Sequence, residues 1–489
     1  MAHFATPMNI QSIPLGLTYD DVLLVPKRSP LLSRQEANIS SHFSRHIKLN
    51  IPVVSANQDT VTESRMAIAM ARAGGLGIIH RFMTIEQQVE MVTKVKRWGH
   101  VVISDPYTLP LGATLGTLLE QRHHYDVTSF LIVDQAGLLA GIITARDLAF
   151  ETDMAKKVDD IMTPKVKLIT AKQGVNNDEA MKLLHEHRIE KLPLVDEQGK
   201  LMGLMTMQDI LKREQYPMAA KDAKGRLLVG AAIGVKDDYI ERAKALTQAG
   251  TDVLVLDIAH GHSDFALNAI KNIRQQLGDV ELVAGNVATS EAVKDLVEAG
   301  VDGVKVGVGP GAACTTRVVT GAGVPQLTAV MNSAAEAKKH GIPVNADGGI
   351  QAPGDVTKAL AAGASTIMCG NLFAGTDESP GSVITRGGKK VKVFRGMASR
   401  AAAEKRVLRE VGHADVASFD EMVPEGVEAI VPYRGSVREV LNQLVGGLRS
   451  GMSYCGSRTI DELHEKSEFV QITWAGRRES LPHDGDVVS

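Results

Sequence analysis

The chain has 489 residues, of which 44% are apolar and 23% charged, and its formal net charge is −3. This length allows for more than one domain, the composition is typical of a globular enzyme, and the small net charge argues against a broad nucleic-acid surface. Three cysteines exclude a disulfide framework and indicate a reducing compartment. Residues 1–11 lack the apolar run of a signal peptide, and no run of about 18 apolar residues could cross a membrane. We therefore expect a cytoplasmic protein.

Apolar strands alternate with helices in the first hundred residues and again from residue 227 onward. Strands are predicted at 51–55, 76–79, 228–233, 253–258, 281–285, 303–306, 343–346 and 366–369. Several helices end in Ala-Gly just before a strand, as expected where the closing glycine adopts a positive φ. Eight β/α units predict an α/β fold, a (β/α)8 TIM barrel built from residues 1–105 and 214–489.

The interruption, residues 106–213, contains an internal repeat. Residues 131–147 recur as residues 193–209, with identical residues 62 positions apart. Each copy has a strand, an Asp-Gly type turn, a second strand, Thr-x-x-Asp and a helix, so two copies at 106–160 and 161–213 predict a pseudo-twofold pair with a cleft between them. The repeat resembles a tandem cystathionine-β-synthase (CBS) pair inserted into the barrel. That resemblance implies that Thr144, Asp147, Thr206 and Asp209 hold the ribose of an adenine or guanine nucleotide. The alternative is a structural or oligomerising module with empty clefts.

The loop from Gly307 to Arg317 follows a predicted barrel strand and surrounds a single cysteine. It reads Gly-Val-Gly-Pro-Gly-Ala-Ala-Cys-Thr-Thr-Arg. A glycine-rich backbone lets N–H groups approach a ligand closely, and the hydroxyls and guanidinium after Cys314 suit a reactive thiolate. A glycine-rich turn with an inert cysteine is the alternative.

Polar residues end most of the other predicted strands. Since TIM-barrel enzymes work at the C-terminal ends of their strands, these residues should share one face. They are Ser55 to Asp59, Asp257 with His260 and His262, Asn286, Asp347 to Gly349, and Gly370 with Asn371. Glycine loops after the last two strands are suited to phosphate, and Asp347 is suited to ribose hydroxyls. The arrangement predicts a phosphorylated, ribose-bearing substrate whose reactive centre lies over Cys314. The histidines and Asp257 could instead be structural.

Four motifs resemble the IMP dehydrogenase/GMP reductase family over nearly the whole chain. They are Asp257-x-Ala-His-Gly-His, Ala-Gly-Asn286-Val, the Cys314 loop and Ala-Asp347-Gly-Gly-Ile. The resemblance implies that Cys314 adds to purine C2 as a covalent thioimidate, that Thr316 assists proton transfer and that Glu425 is a third catalytic residue. The implied substrate-binding residues are Ser55, Asp347, Gly349, Gly370, Asn371 and Met397. Asp257 and Asn286 would hold the nicotinamide half of NADPH or NAD. The carbonyls of Gly307, Gly309 and Cys314 would bind K⁺ with a neighbour's Glu479 and Ser480.

The sequence departs from the family's dehydrogenases at the step that activates water. The dehydrogenases have an Arg-Tyr pair in a flap, and the arginine of that pair acts as the base for water. The corresponding span of this chain, residues 400–422, contains no tyrosine. Arg406 and Arg409 fall in a charged helical run. Asn57 and the Ala-Asn context resemble reductases, whereas Glu425 to Glu428 and the C-terminal tail resemble dehydrogenases. Gln58, Ala312 and Phe394 replace the family's Met, Ser and Tyr. The resemblance favours GMP reductase (GMP and NADPH to IMP and ammonia), with IMP dehydrogenase as the alternative.

A third interpretation is a nucleotide-sensing assembly with weak catalysis. The resemblance also implies that ATP or GTP at the CBS pair shifts an equilibrium between a homotetramer and an octamer.

Overall fold

The structure, a computed structural model, describes residues 13–98, 103, 106–125, 127–207, 215–236, 238–404 and 423–482. The chain divides into two compact units. Residues 1–96 and 218–489 form the first unit, and residues 97–217 form the second. None of the helices formed by the described residues has both the length and the hydropathy needed to span a membrane.

Eight parallel strands close into a barrel in the first unit, which confirms the predicted fold. The strands are β1 (Val53–Ser55), β2 (Leu76–Ile79), β3 (Gly230–Ile233), β4 (Val253–Asp257), β5 (Leu282–Val287), β6 (Gly303–Val306), β7 (Val344–Asp347) and β8 (Thr366–Cys369). Closure is made where β1 pairs with β8 on one side and β2 on the other, with Ser55 opposite Cys369 and Gly77. All C-terminal ends of the strands consequently meet at one rim.

Helices cover the outside of the barrel. They are α1 (Ser64–Ala73), α2 (Ile85–Arg97), α3 (Tyr239–Gln248), α4 (Asp264–Leu277), α5 (Ser290–Ala299), α6 (Gln326–Lys339), α7 (Pro353–Ala361) and α8 (Val437–Tyr454). α8 packs against both α7 and α1 and so completes the ring. The glycines of the four Ala-Gly pairs all have positive φ, as predicted: Gly74, Gly250, Gly300 and Gly363.

The barrel interior is filled by side chains from alternate strand positions. Val54, Ile78 and Val255 are fully buried members of this core. At the N-terminal end of the strands, Phe43 and Leu49 of the hairpin Ser41–His42/Lys48–Leu49 join the same cluster. Burial of so much branched aliphatic surface is the main stabilising contribution to such a barrel.

Shorter elements extend the first unit. The strands Ile384–Arg386, Lys389–Arg395 and Glu428–Pro432 form an antiparallel sheet, and Val22–Leu24 pairs with Phe469–Gln471. Short helices lie at Thr316–Thr320, Asn371–Ala374, Ile460–Lys466 and Trp474–Glu479. The antiparallel sheet carries residues on either side of the flap to the barrel rim.

The second unit consists of two similar halves. In the first, strands Thr108–Pro110, Ser129–Val133, Leu139–Thr144 and Thr163–Pro164 form one sheet, with helices Leu115–Tyr125 and Ala145–Leu148. In the second, Ala171–Lys172, Lys191–Val195 and Leu201–Thr206 form a sheet, with helix Asn177–Glu186. The central antiparallel strand pair of the second half starts and ends 62 residues after that of the first half. The register shift lies at equivalent positions in the two pairs, Ile132/Val133 and Leu194/Val195.

A reciprocal pair of hydrogen bonds joins the two halves. Leu139 N–H donates to the Gly199 carbonyl at 3.1 Å, and Leu201 N–H donates to the Gly137 carbonyl at the same distance. These two bonds map onto each other under the 62-residue offset, so the halves are related by a pseudo-twofold axis. The identification of this unit as a CBS pair stays a prediction.

Candidate active site

The cysteine loop is held at the rim by its glycines and by a second segment of the chain. Gly307 has φ +151°, and a Cβ there would lie 2.1 Å from the Asp347 carbonyl oxygen, so a side chain is excluded. Thr315 N–H donates to the Glu425 carbonyl at 2.9 Å, and Val427 N–H donates to the Ala313 carbonyl at 3.0 Å. The Pro-Glu-Gly segment therefore lies alongside the loop as a short antiparallel bridge.

Cys314, Thr316 and Glu425 form a continuous hydrogen-bonded chain. The Cys314 thiol, which is free and half-buried, donates to Thr316 Oγ1 at 3.1 Å. The Thr316 hydroxyl donates in turn to Glu425 Oε2 at 2.8 Å. A thiol, a hydroxyl and a carboxylate in this order can pass a proton away from sulfur and later return it, which is what an activated nucleophile requires.

Arg317 shapes the loop. Its guanidinium donates to the carbonyls of Val308 at 3.1 Å and Val324 at 2.5 Å. Burial lowers the pKa of Arg317, and the nearby Cys314 sulfur acts in the opposite direction. The side chain therefore combines a structural role with a positive charge close to the nucleophile.

A cavity of about 270 Å³ opens beside the loop. The residues that line it come from the ends of β1, β7 and β8, from the cysteine loop and from the antiparallel sheet. They include Gln58, Ala312, Asp347, Gly349, Gly370, Asn371 and Phe394. Backbone N–H groups and neutral side chains dominate this lining, and none of the described residues that form it is a Lys or Arg. An anion here would depend on backbone and amide donors.

Polar side chains from four strands form one network under the rim. Lys305 is 2% exposed, and its Nζ donates to Asp347 Oδ2 at 2.7 Å and lies 3.4 Å from Asp257 Oδ1. Asn286 accepts from the same ammonium through Oδ1 and donates through Nδ2 to Asp347 Oδ2 at 3.0 Å. Asn57 donates to the other oxygen of Asp257.

Burial alone raises the pKa of Asp257. The Lys305 charge, the hydrogen bond from Asn57 and the Arg81 charge together outweigh burial, so the net pKa lies below the usual range. Burial lowers the pKa of Lys305, but Asp257 and Asp347 more than compensate, so the net pKa is raised. The cluster is therefore one ammonium shared by two carboxylates.

Two predicted substrate residues have different surroundings. Ser55 is fully buried, and its hydroxyl accepts a hydrogen bond from Thr62 at 2.8 Å, whereas Ala56 and Gln58 line the cavity. The Met397 sulfur accepts from the Asp59 N–H at 3.4 Å, which brings the residue to the end of β1. The part of the cavity wall that follows β1 is thus formed by Ala56 and Gln58, just beyond the predicted Ser55.

The histidines after β4 differ from one another. His262 contacts Asp295 of α5 through Nε2 at 2.8 Å, as a structural histidine would, while His260 is exposed. For the predicted cation site, the Gly307 carbonyl accepts from Asn286 at 2.7 Å. Glu479 and Ser480 lie at the end of the helix Trp474–Glu479, whose Arg477 pairs with Asp20. The predicted cation site needs a neighbouring chain, and it stays a prediction.

The nucleotide-binding residues predicted for the repeat lie at equivalent strand ends. Both the N–H and the hydroxyl of Thr144 donate to Asp147 Oδ2, at 2.8 and 2.7 Å, and so cap the following short helix. Thr206 ends the equivalent strand in the second half. Asp209 lies outside the described residues, as do Arg406 and Arg409.

Sequence reasoning missed Lys305 and did not assign Gln58 to the cavity. Lys305 lies in a strand that reads Gly-Val-Lys-Val, and a single lysine in an otherwise apolar barrel strand was the available signal. Gln58 has a buried Oε1 for which the described part of the chain provides no hydrogen-bond partner. Its place one residue past Asn57 was visible, but its orientation toward Gly370 was not.

Comparison with known proteins agrees with this geometry. Residues 16–483 match the family described as IMP dehydrogenase / GMP reductase domain. The chain is 53% identical to an inosine-5'-monophosphate dehydrogenase of Nitrosopumilus maritimus over 96% of this chain and 98% of that protein. It is 47% identical to a GMP reductase of Leishmania donovani over 97% of this chain and 98% of that protein. The structure also resembles a crystal structure of a cysteine-to-alanine GMP reductase from Trypanosoma brucei in complex with guanosine 5'-monophosphate. The TM-score is 0.90 at 44% identity, and the match covers 97% of this chain and 99% of that chain. The chain belongs to the IMP dehydrogenase/GMP reductase family of oxidoreductases.

Proposed function

We propose that this chain is a GMP reductase that converts GMP and NADPH into IMP, ammonia and NADP⁺. The Cys314–Thr316–Glu425 chain of hydrogen bonds provides a proton path, and the observation that favours the reductase is the sequence of residues 400–422. A reductase must protonate a departing amine, and the hydrogen-bonded path can deliver to that amine the proton that it takes from the Cys314 thiol. A dehydrogenase must instead deprotonate water, and the family's Arg-Tyr pair for that step is missing between residues 400 and 422.

The proposed reaction balances with the residues present. The Cys314 thiol passes its proton through Thr316 to Glu425 as sulfur bonds to purine C2. The 2-amino group then leaves as ammonia, taking a proton back along the same path. A bound NADPH would supply hydride to C2 of the resulting thioimidate, after which the C–S bond breaks with its electron pair returning to the Cys314 sulfur, and IMP leaves. One proton from solvent restores the Cys314 thiol and a second converts ammonia into ammonium, so the net reaction consumes two protons.

The remaining residues suit the two ligands. Asp347 would accept from the ribose hydroxyls, while Gly349, Gly370 and Asn371 line the cavity where backbone N–H groups would receive the phosphate. Met397, anchored beside β1, would contact the purine. Asp257 and Asn286 would hold the nicotinamide. The cofactor supplies a hydride, and these side chains fix its position.

IMP dehydrogenase is the second candidate, with IMP, NAD⁺ and water giving XMP and NADH. The higher identity to the Nitrosopumilus maritimus protein favours it, and the same Glu425 path could accept a proton from water. A nucleotide-sensing assembly with weak catalysis is the third. We also propose that K⁺ orders the cysteine loop and that purine nucleotides at the repeat pair control association into tetramers and octamers.

The test is turnover of the purified full-length chain, followed by absorbance of the reduced nicotinamide. One assay contains GMP and NADPH, and the other contains IMP, NAD⁺ and K⁺. NADPH oxidation with release of ammonia would support the reductase. NAD⁺ reduction with formation of XMP would show that the dehydrogenase assignment is right. No turnover in either assay, together with association that responds to ATP or GTP, would leave the sensing assembly.

A further inference from the structure

The buried ammonium of Lys305 has no role in the proposed chemistry, although it is central to the network. Lys305 lies on β6, directly before the loop that carries Cys314. Its Nζ reaches the strand ends of β4, β5 and β7 through Asp257, Asn286 and Asp347. A lysine so deeply buried is rarely found unless its charge is paired.

We propose that Lys305 is a positioning residue that orients Asp257 and Asp347 toward the barrel mouth and joins the nucleotide half of the site to the nicotinamide half. This inference rests on the proposed function, because that function supplies the two ligands.

The contacts on Asp347 divide its two oxygens. Oδ2 accepts from Lys305 at 2.7 Å and from Asn286 at 3.0 Å. Among the described residues, none donates to Oδ1, and the side chain is 21% exposed while lining the cavity. Two donors on one oxygen fix the carboxylate plane and leave the other oxygen for a ligand hydroxyl.

Asp257 is also fixed by two donors, one on each oxygen. Asn57 donates to Oδ2, and the Lys305 ammonium lies 3.4 Å from Oδ1. The side chain is 23% exposed, so a carboxamide can still approach it. Since one ammonium contacts both acids and Asn286, a displacement at either acid changes the electrostatic environment of the other.

The network also reaches the nucleophile loop. Asn286, which accepts from Lys305, donates through Nδ2 to the Gly307 carbonyl at 2.7 Å. Gly307 is the first residue of the cysteine loop. Lys305 thus supports the substrate side, the cofactor side and the base of the reactive loop at once.

The experiment replaces the charge with a neutral side chain, Lys305→Gln. Without the ammonium, Asp257 loses the largest interaction that lowers its pKa, so its carboxyl becomes easier to protonate. The charged groups facing Asp257 are then Arg81 and, through Asn286, Asp347. We expect KM for GMP and Kd for NAD⁺ to rise about tenfold or more, and the loss in NAD⁺ binding to deepen as pH falls from about 7 to about 5.

NAD⁺ is the chosen probe because it carries the nicotinamide half common to both cofactors and no phosphate monoester that titrates in this pH range. The rate of Cys314 alkylation should change less than NAD⁺ binding does, since Lys305 reaches the cysteine loop only through Asn286 and does not contact the sulfur. A merely structural role for Lys305 would lower stability without producing a new pH dependence in NAD⁺ binding.

Lys96→Gln is the matched control, because Lys96 is also buried between two carboxylates but at the other end of the barrel. Unchanged affinities and an unchanged pH profile in Lys305→Gln would overturn the inference, while turnover of the unmodified chain would leave the proposed function intact. If the unmodified chain binds neither GMP, IMP nor NAD⁺, the proposed function fails instead.

Should Lys305→Gln not fold, the unmodified chain still decides. Its affinity for NAD⁺ should be constant between about pH 8 and pH 5 because Lys305 keeps Asp257 ionised. A Kd that rises over that interval would overturn the inference.

Discussion

The barrel contains two buried lysines with the same kind of surroundings at opposite ends. Lys305 lies between Asp257 and Asp347 at the C-terminal ends of the strands. Lys96 lies between Asp222 and Asp252 at the N-terminal ends, at 3.1 and 2.6 Å. Both lysine side chains are almost inaccessible, with exposures of 2% and 4%.

The carboxylates distinguish the two clusters. At the N-terminal end, Asp252 accepts from the Val229 N–H at 2.7 Å, and Asp222 accepts from the backbone and side chain of Arg226. Those acids are 10% and 13% exposed, compared with 23% and 21% for Asp257 and Asp347. An ion cluster that is saturated by protein donors fastens strands and helices. One that leaves an oxygen facing a cavity, as at Asp347, can also bind a ligand.

The largest effect on turnover should come from the nucleophile at the C-terminal end. Cys314→Ala removes the atom that bonds to purine C2, and we expect turnover to fall at least about a thousandfold. Binding of GMP should persist, because the cavity is unchanged. Steady-state rates and GMP titration measure both quantities.

Cys455→Ala is the control for that substitution. Cys455 is a buried cysteine that follows α8, and its loss should leave turnover unchanged. Turnover of Cys314→Ala within tenfold of the unmodified chain would contradict covalent catalysis.

A smaller loss is expected at the end of the proton path. Glu425→Gln keeps the shape of the side chain but cannot accept the proton from Thr316, so kcat should fall about a hundredfold or more while Kd for NAD⁺ is kept. Glu428→Gln is the matched control, since Glu428 pairs with Arg395 at a more exposed position. Equal rates in the two variants would rule out the path through Glu425.

A modest change should follow from removing the second anchor of Asp257. Asn57→Ala deletes a hydrogen bond to a carboxylate but leaves Lys305, so KM for the dinucleotide should rise about three- to tenfold. Asn50→Ala provides the comparison at the other end of the barrel, where the Asn50 amide donates to the Met218 carbonyl at 2.9 Å. Identical KM values in the two variants would indicate that Asp257 does not contact the cofactor.

The smallest effect on turnover is expected at the N-terminal cluster. Lys96→Gln leaves Asp222 and Asp252 without their shared cation, which should lower the free energy of unfolding by about 3–5 kcal/mol. Values of KM and kcat measured well below the unfolding temperature should stay within about twofold of the unmodified chain. A large change in KM would show that the two ends of the barrel are not independent.

Much of the fold could be predicted from local sequence. The strands 303–306 and 366–369 were predicted with the bounds that the structure gives, and the Ala-Gly helix ends have the positive φ that such endings favour. The 62-residue repeat was also visible, because its glycines and aspartates recur at a fixed spacing. Each of these features depends on neighbours within a few residues of the chain.

The site was only partly predictable for the same reason. Thr316 and Glu425 were assigned from motifs, yet their 2.8 Å contact joins residues 109 positions apart. Ser55 was selected as the last residue of its strand, but the pleat turns it to the face opposite Val54, where it contacts Thr62, and leaves the cavity wall to the residues beyond it. Strand-end positions can be read from sequence, whereas the direction of each side chain depends on the closed barrel.

The sequence by itself determined the eight β/α units, the repeat between them and the cysteine loop, since periodicity, glycine positions and motif spacing are local properties. Tertiary structure alone decided that Lys305 is shared by Asp257 and Asp347 and that the Cys314 proton can reach Glu425. These contacts exist only after strands that are far apart in sequence are brought to one rim. Burial of apolar side chains drives closure of the barrel, and closure brings the polar residues at the strand ends together.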